Sequence, residues 1–140
     1  MVYGSVVPSA VGGSSAPAAE LLRSALRITM SHKIKESDWK LLRQLHPVAL
    51  ERFCQRILEE LERINSDSAK SFHQRYLDIF DVIERRDKEI AQAFNDMRRS
   101  TALTQLTAIQ SHGLLTKEEF FRFTPETRRV VEALLAIGRA

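Results

Sequence analysis

Three acidic residues at helical spacing are the first candidates for chemistry in this chain. Asp78, Asp81 and Glu84 recur every third residue, and carboxylates on one helix face can bind a divalent metal ion or move protons. Basic residues at helical spacing stand beside them, however, which is typical of a solvated charged face. The pattern therefore favours a surface role, and a metal-dependent enzyme is the least favoured of three candidate functions.

The histidines and the single cysteine give little support for metal binding or nucleophilic catalysis. No Glu precedes a histidine by three residues, as it does in the metal sites of helical bundles. Cys54 falls on an apolar helix face between Phe53 and Ile57, which is typical of a buried thiol. His46 and His112 are expected to contact the terminal carbonyls of helices. The sequence therefore predicts no catalytic residue, no metal site and no cofactor.

Arginine doublets are the remaining candidates for binding chemistry. The pairs Arg85–Arg86, Arg98–Arg99 and Arg128–Arg129 could contact phosphates. Nucleic-acid-binding proteins usually concentrate Lys and Arg on one face or tail, whereas the net charge of +3 in this chain is spread along its length. A nucleic-acid-associated regulatory protein is therefore the alternative interpretation rather than the favoured one.

The elements that carry these residues are predicted to be helices. The chain has no glycine or proline from Val48 to His112, and these two residues are the strongest interruptions of local structure. A length of 140 residues suits one domain with its own core. The sequence predicts an all-α bundle of five to six helices with one long central helix, formed by a single domain over residues 31–140.

Apolar periodicity and capping residues predict the helix boundaries. Pro47 is expected to separate two helices, because proline is tolerated best in a first helical turn. Hydroxyl-bearing residues are expected to cap the other helices. The predicted helices run from Ser37 to Pro47, from there to about Asn65, from about Ala69 to Arg98, from Ser100 or Thr101 to Gly113, from the capping box at Thr116 to Phe123, and from Pro125 to Gly138.

The first 30 residues differ in composition from the rest. They are rich in Gly, Ser, Pro and Ala and nearly free of charge, and they lack the basic start and continuous apolar segment of a secretory signal. We interpret residues 1–30 as a flexible N-terminal extension, or as a leader upstream of a start at Met30. A transit peptide is a less favoured alternative.

The longest predicted helix carries the predicted contact surface. Its apolar residues alternate at three and four positions, as in a helix–helix seam, and the polar pair Arg86–Asp87 interrupts them and is expected to set the register. Because the run from Ser100 to Thr116 is uncharged, its helix should be enclosed by its own fold or by a second subunit. The predicted interface is Phe72, Tyr76, Ile83, Arg86, Asp87, Ile90 and Phe94, and the candidate anion or partner contacts are Arg98, Arg99, Thr101 and Thr104.

Five short segments carry a resemblance to a known family. They are residues 38–40, 49–54, 98–103, 112–116 and 125–128, which read DWK, ALERFC, RRSTAL, HGLLT and PETR. This pattern resembles a small all-helical family of uncharacterised bacterial proteins over about residues 31–137. The resemblance implies a bacterial, cytoplasmic protein and brings no known activity with it.

These observations together favour a non-enzymatic interaction protein. No run of about 20 apolar residues is present to span a membrane, and a single cysteine suits a reducing compartment. We expect a cytoplasmic protein without a membrane segment that forms a homodimer or binds a protein partner through its long helix and the uncharged helix after it.

Overall fold

The computed structural model describes residues 33–139 and, before them, positions 19, 20, 23, 24 and 27, which have helical backbone. The rest of the predicted N-terminal extension lies outside the described residues. Residues 33–139 are all-helical, as predicted, and contain no strand. They form, in order, α1 Glu36–Asn65, α2 Phe72–Phe94, a 3₁₀ turn Arg99–Thr101, α3 Ala102–Ser111, α4 Lys117–Phe121 and α5 Pro125–Arg139.

The first helix continues through Pro47, so the prediction of two helices meeting there is wrong. α1 has 30 residues and includes Pro47 in its interior. Proline removes the N–H that would bond to the Arg43 carbonyl, but its φ is compatible with a helix. Leu45 and Ala49, on either side of Pro47, are buried in the same core. Burial of both halves therefore outweighs one missing hydrogen bond.

Pro47→Ala should stabilise the protein. The substitution restores one helical hydrogen bond, and the conformational entropy that it returns to the unfolded chain offsets part of that gain. We expect the free energy of unfolding to rise by about 1–2 kcal/mol, measured by urea denaturation. Val48→Ala, a neighbouring change on an exposed side chain, serves as the control. A destabilised Pro47→Ala protein would show that the proline has a packing role of its own.

The second helix is shorter than predicted. The predicted span was about 69–98, but α2 begins at Phe72, after the Ser71 hydroxyl caps its first turn, and ends at Phe94. Asp96 then takes a φ of 55°, a left-handed conformation that aspartate tolerates better than most residues. The longest helix is therefore α1, with 30 residues, whereas the sequence predicts that the longest helix is the one that follows it.

α1 and α2 form an antiparallel hairpin. His46, near the start of α1, contacts the carbonyl of Phe94 at the end of α2 (2.9 Å). Glu60, near the end of α1, accepts a hydrogen bond from Arg86 in the middle of α2 (3.0 Å). The His46 contact confirms the expectation that this ring meets a helix-terminal carbonyl.

The uncharged helix α3 lies at the centre of the fold. It packs against α1, α2 and α5, and buries Leu103, Leu106 and Ile109. Gln105 is also buried, and its amide donates to the carbonyl of Asn95 (2.6 Å). The expectation that a helix without charge is enclosed on several sides is confirmed, and the enclosing helices belong to its own chain.

A buried aspartate joins the first and last helices. Asp38, in the first turn of α1, is 1% exposed. Its carboxylate accepts hydrogen bonds from the backbone N–H of Thr124 (3.0 Å) and from the hydroxyls of Thr124 and Thr127 (2.6 Å each). Thr124 directly precedes α5, so Asp38 caps the start of a helix far from it in sequence.

Candidate interaction surface

The first half of α2 presents large apolar side chains to solvent. Phe72, Tyr76, Phe80 and Ile83 are 83%, 64%, 57% and 48% exposed. Their spacing of four, four and three residues places them on one helix face, and we call these four residues the apolar stripe. Single exposed hydrophobic residues are ordinary, but a continuous row of three aromatic rings and an isoleucine indicates a contact surface.

The same face of α2 is covered further along the helix. Ile90 is half-buried and packs against the core, and Phe94 is 4% exposed within it. The predicted interface therefore divides into two parts. Phe72, Tyr76 and Ile83 belong to the apolar stripe, whereas Phe94 is a core residue and Ile90 packs against the core with part of its side chain still exposed.

The lengths of the helices explain why the apolar stripe is uncovered. α3 has ten residues and α2 has 23, so α3 reaches about 15 Å along a helix of about 35 Å.

Just after α3 ends, the His112 ring stacks on Phe53 of α1 (4.8 Å between centroids). The His112 side chain thus packs on an aromatic ring instead of meeting a helix-terminal carbonyl. The neighbouring Cys54 is half-buried rather than buried.

Phe80 is the member of the apolar stripe that the predicted interface leaves out. It lies four residues after Tyr76 and eight after Phe72, and this spacing was the available signal. Ile79, beside it, is half-buried. The predicted interface names neither Ile79 nor Phe80, and the exposed face of α2 includes Phe80.

Arg86 is bound within its own hairpin. It donates from Nε to Glu60 (3.0 Å) and from an Nη to Glu89 (2.6 Å). These carboxylates raise the pKa of the guanidinium, and Arg86 in turn lowers the pKa of Glu60. Asp87 is exposed and forms no ion pair with a described residue. Of the pair predicted to set the register, only Asp87 is free to meet a partner.

Charged side chains of both signs flank each end of the apolar stripe. At the hairpin loop, the guanidinium of Arg75 lies over the Phe72 ring (4.5 Å) and donates to the carbonyl of Asn65 (2.7 Å). Arg75 forms no ion pair with a described residue, and the carbonyl that it binds stands at the C-terminal end of α1, where a cation is favourable. At the other end, Glu84 and Asp87 are exposed, and neither forms an ion pair within the described part of the chain.

A cavity of about 300 Å³ lies between the hairpin and the end of α3. Arg56 donates across it to the carbonyls of His112 (2.6 Å) and Gly113 (2.8 Å). These carbonyls stand at the negative end of the α3 dipole, where a cation is favourable. The cavity is lined by Phe53, Arg56, Ile57, Glu60, Arg63, Arg86 and His112.

The four predicted anion or partner contacts do not share one site. Arg98 pairs with Asp96 (3.0 Å), and Arg99 with Glu36 of α1 (2.6 Å). The Thr101 hydroxyl accepts the backbone N–H of Arg98 (3.2 Å). Thr104 instead lines a cavity of about 380 Å³ between α3 and α5. The junction before α3 is therefore occupied by contacts within the chain.

The carboxylates of Asp78, Asp81 and Glu84 have separate surroundings. Asp78 accepts a hydrogen bond from Lys70 (2.7 Å), which lowers the pKa of Asp78. Asp81 pairs with Arg85 (3.4 Å), and Glu84 has no ion pair among the described residues. In the described part of the chain, no group of three His, Cys, Asp or Glu side chains is placed to hold a metal ion.

Each arginine doublet contains a residue engaged in its own fold. Arg86 and Arg99 form the ion pairs given above. Arg128 donates to the carbonyl of Phe123 (3.2 Å) and stands over the Phe121 ring (4.3 Å). These three arginines therefore serve structural contacts first.

Arg52 of α1 holds the connection between α3 and α4. Its guanidinium donates to both carboxylate oxygens of Glu119 (2.7 and 3.0 Å) and to the carbonyl of Leu114 (2.8 Å). Glu119 also accepts the N–H of Thr116 (2.8 Å), and the Thr116 hydroxyl accepts the N–H of Glu119 (3.1 Å). The predicted capping box is confirmed. The contact between Arg52 and this box could not be predicted from the sequence, because Arg52 is far from Glu119 along the chain.

The Glu119 contact should make stability depend on pH. Hydrogen bonding from Arg52 is the main cause that lowers the pKa of Glu119 from 4.5 to about 2. The contribution of Glu119 to the free energy of unfolding is thus present above about pH 4.5 and lost as the pH falls toward 2. At pH 7, Glu119→Gln should cost about 2 kcal/mol.

Urea denaturation of the wild type and Glu119→Gln between pH 7 and pH 3 measures this effect. The stability gap should narrow below about pH 4.5. Glu118→Gln, an exposed neighbour in the same turn, is the control and should behave like the wild type. A gap that stays constant over this range would contradict the pKa assignment.

Comparison of the chain with protein-family models, with curated proteins and with solved structures found no match. The resemblance to an uncharacterised all-helical family therefore stays a prediction. Among the residues that the structure describes, no helix combines the length and the apolar character that crossing a membrane requires.

Proposed function

We propose that this protein is a non-enzymatic, self-associating helical protein whose contact surface is the apolar stripe on α2. The single observation that carries the proposal is the row formed by Phe72, Tyr76, Phe80 and Ile83, each between 48% and 83% exposed. In a monomer these four side chains contribute little free energy of burial, because most of their surface stays in contact with water. Contact with a partner recovers that energy.

The area of the apolar stripe suits contact between two copies of the chain. With about 200 Å² for each aromatic side chain, the stripe offers roughly 500 Å² of apolar surface per copy. Two copies would bury roughly 1,000 Å² before any flanking residue is counted, and stable protein interfaces bury about 1,200–2,000 Å². Leu77, which is 43% exposed beside the stripe, adds to this area.

Three expectations from the sequence remain proposals alongside this one. They are the cytoplasmic location, the bacterial origin implied by the resemblance, and the alternative of a nucleic-acid-associated regulatory protein. The engaged arginines Arg86, Arg99 and Arg128 support self-association over the nucleic-acid alternative, since a phosphate would have to compete with their present partners.

Sedimentation equilibrium of the wild-type protein tests the proposal. We expect a dimer with a dissociation constant in the micromolar range, because a buried area of roughly 1,000 Å² lies just below that of most stable complexes. A protein that remains a monomer at several hundred micromolar would contradict self-association. Binding to a labelled DNA or RNA duplex at about 50 mM salt is measured separately. The nucleic-acid alternative predicts tight binding at this salt concentration, and the absence of a complex would contradict that alternative.

A further inference from the structure

We propose that residues 19–28 form an amphipathic helix whose apolar face docks in the groove between α3 and α5 of the same chain. This inference is independent of self-association, because it concerns another surface and needs only one copy. The groove is the cavity of about 380 Å³ lined by Thr104, Thr107, Ala108, Ser111, Leu134, Leu135 and Gly138.

The described residues of this segment form a polar, ion-paired face. Five of its positions have helical backbone. Glu20 accepts hydrogen bonds from Arg23 (2.9 Å) and Arg27 (3.3 Å), and these three side chains are 57–68% exposed. At helical spacing, the sequence places the apolar residues of the segment on the opposite face. They are Leu21, Leu22, Ala25, Leu26 and Ile28. A short helix of this kind gains most of its stability from packing that face against an apolar surface.

The groove suits an apolar occupant. Its α3 wall consists of small side chains, which allow a helix to approach closely, and its α5 wall contributes two leucines. The hydroxyls of Thr107 and Ser111 already donate to backbone carbonyls of α3 itself (2.7 Å each). α3 carries no charged residue, yet Thr104 and Ser111 are exposed. Covering this face would therefore remove no charge from water.

The chain enters the fold beside this groove. Arg99, in the turn before α3, donates to the carbonyl of Ile34 (3.2 Å). Lys35 pairs with Glu126 in the first turn of α5 (3.1 Å). The residues that precede α1 are thus held near the starts of both helices that form the groove. The five residues between the segment and Ile34 span up to about 18 Å, and α3 is about 15 Å long, so the segment can reach along the groove.

The apolar stripe on α2 is too far away for the same segment. His46 contacts the Phe94 carbonyl and lies about 20 Å along α1 from the point of entry. Because the hairpin is antiparallel, Phe80 lies about 21 Å farther on. The linker and a helix of ten residues together span only about 33 Å. The groove is therefore within reach, and most of the stripe is not.

Thiol labelling of the full-length protein tests the docking. The reporter is Ser111→Cys in a Cys54→Ala background, because Ser111 lines the groove and cysteine is close to serine in size. Leu22→Glu places a carboxylate on the docking face, and we expect it to speed labelling of the reporter about tenfold by opening the groove to solvent. Arg23→Glu introduces the same residue on the exposed face and should leave the rate unchanged.

A reporter outside the groove shows whether the fold itself is intact. Glu118→Cys is exposed on α4, and its labelling rate should be equal in all variants. In the protein without substitutions, we also expect nuclear Overhauser contacts from the methyl groups of Leu22 or Leu26 to those of Leu134 or Leu135.

The outcomes distinguish this inference from the proposed function. Equal labelling of Ser111→Cys with and without Leu22→Glu would overturn the docking, and so would the absence of the methyl contacts. A protein that is monomeric at every concentration but shows both results would contradict self-association and leave the docked helix in place.

Discussion

Phe80→Glu should convert the dimer into a monomer without unfolding the protein. Phe80 is the third of the four stripe residues and is 57% exposed in the single chain, so a carboxylate is readily hydrated there in the monomer. In a dimer the same carboxylate would be buried against aromatic rings without a partner. We expect the dissociation constant to rise at least 100-fold, or about 3 kcal/mol.

Light scattering and thermal unfolding of matched variants check this result. Phe121→Glu makes the same chemical change at a phenylalanine that is 67% exposed on α4, and it should leave the dimer intact. The melting temperature of dilute Phe80→Glu should stay close to that of dilute wild type. If Phe80→Glu and the wild type had the same molar mass at every concentration, Phe80 could not lie in an interface.

Asp38→Ala should cause the largest loss of stability of any single polar substitution in the described chain. The carboxylate accepts three hydrogen bonds at the start of α5, and its removal leaves buried donors of Thr124 and Thr127 without an acceptor. Such a loss costs about 3 kcal/mol. For a domain of this size, the melting temperature should fall by about 10 °C.

Two further variants separate the capping role of Asp38 from a general helix effect. Glu36→Ala changes another acidic residue of the same turn, but that side chain is 53% exposed and pairs with Arg99 (2.6 Å), so it should cost less than about 1 kcal/mol. Thr127→Val should lose much less stability in the Asp38→Ala background than in the wild type. Additive effects of these two substitutions would contradict the shared hydrogen bond.

Local signals in the sequence were enough to predict most of the helices and three of the four residues of the apolar stripe. Capping depends on neighbouring residues, so the box of Thr116 and Glu119 and the end of α3 near Gly113 follow from short motifs. Gly113 has the positive φ of 64° that a helix terminus of this kind requires. Periodicity alone placed Phe72, Tyr76 and Ile83 on one apolar face.

Contacts between distant residues account for what the sequence could not predict. Whether the apolar face of α2 is core or surface depends on where α3 ends, and this decides that Phe94 is buried while Phe72 is exposed. Likewise, the sequence does not predict that Arg86 donates a hydrogen bond to Glu60 of α1. Pro47 stays helical because residues on both sides of it share one core. Glu60 is 26 residues from Arg86 in the sequence, and the core that Leu45 and Ala49 join is shared with residues of other helices.

Nuclear Overhauser contacts between copies test most directly that the apolar stripe is the surface through which the protein self-associates. The sample is an equimolar mixture of isotope-labelled and unlabelled full-length protein, and isotope filtering selects contacts between different copies. We expect such contacts among Phe72, Tyr76, Phe80 and Ile83. Their absence, or contacts of these rings only with residues of the same copy, such as residues 1–32, would contradict self-association through the stripe.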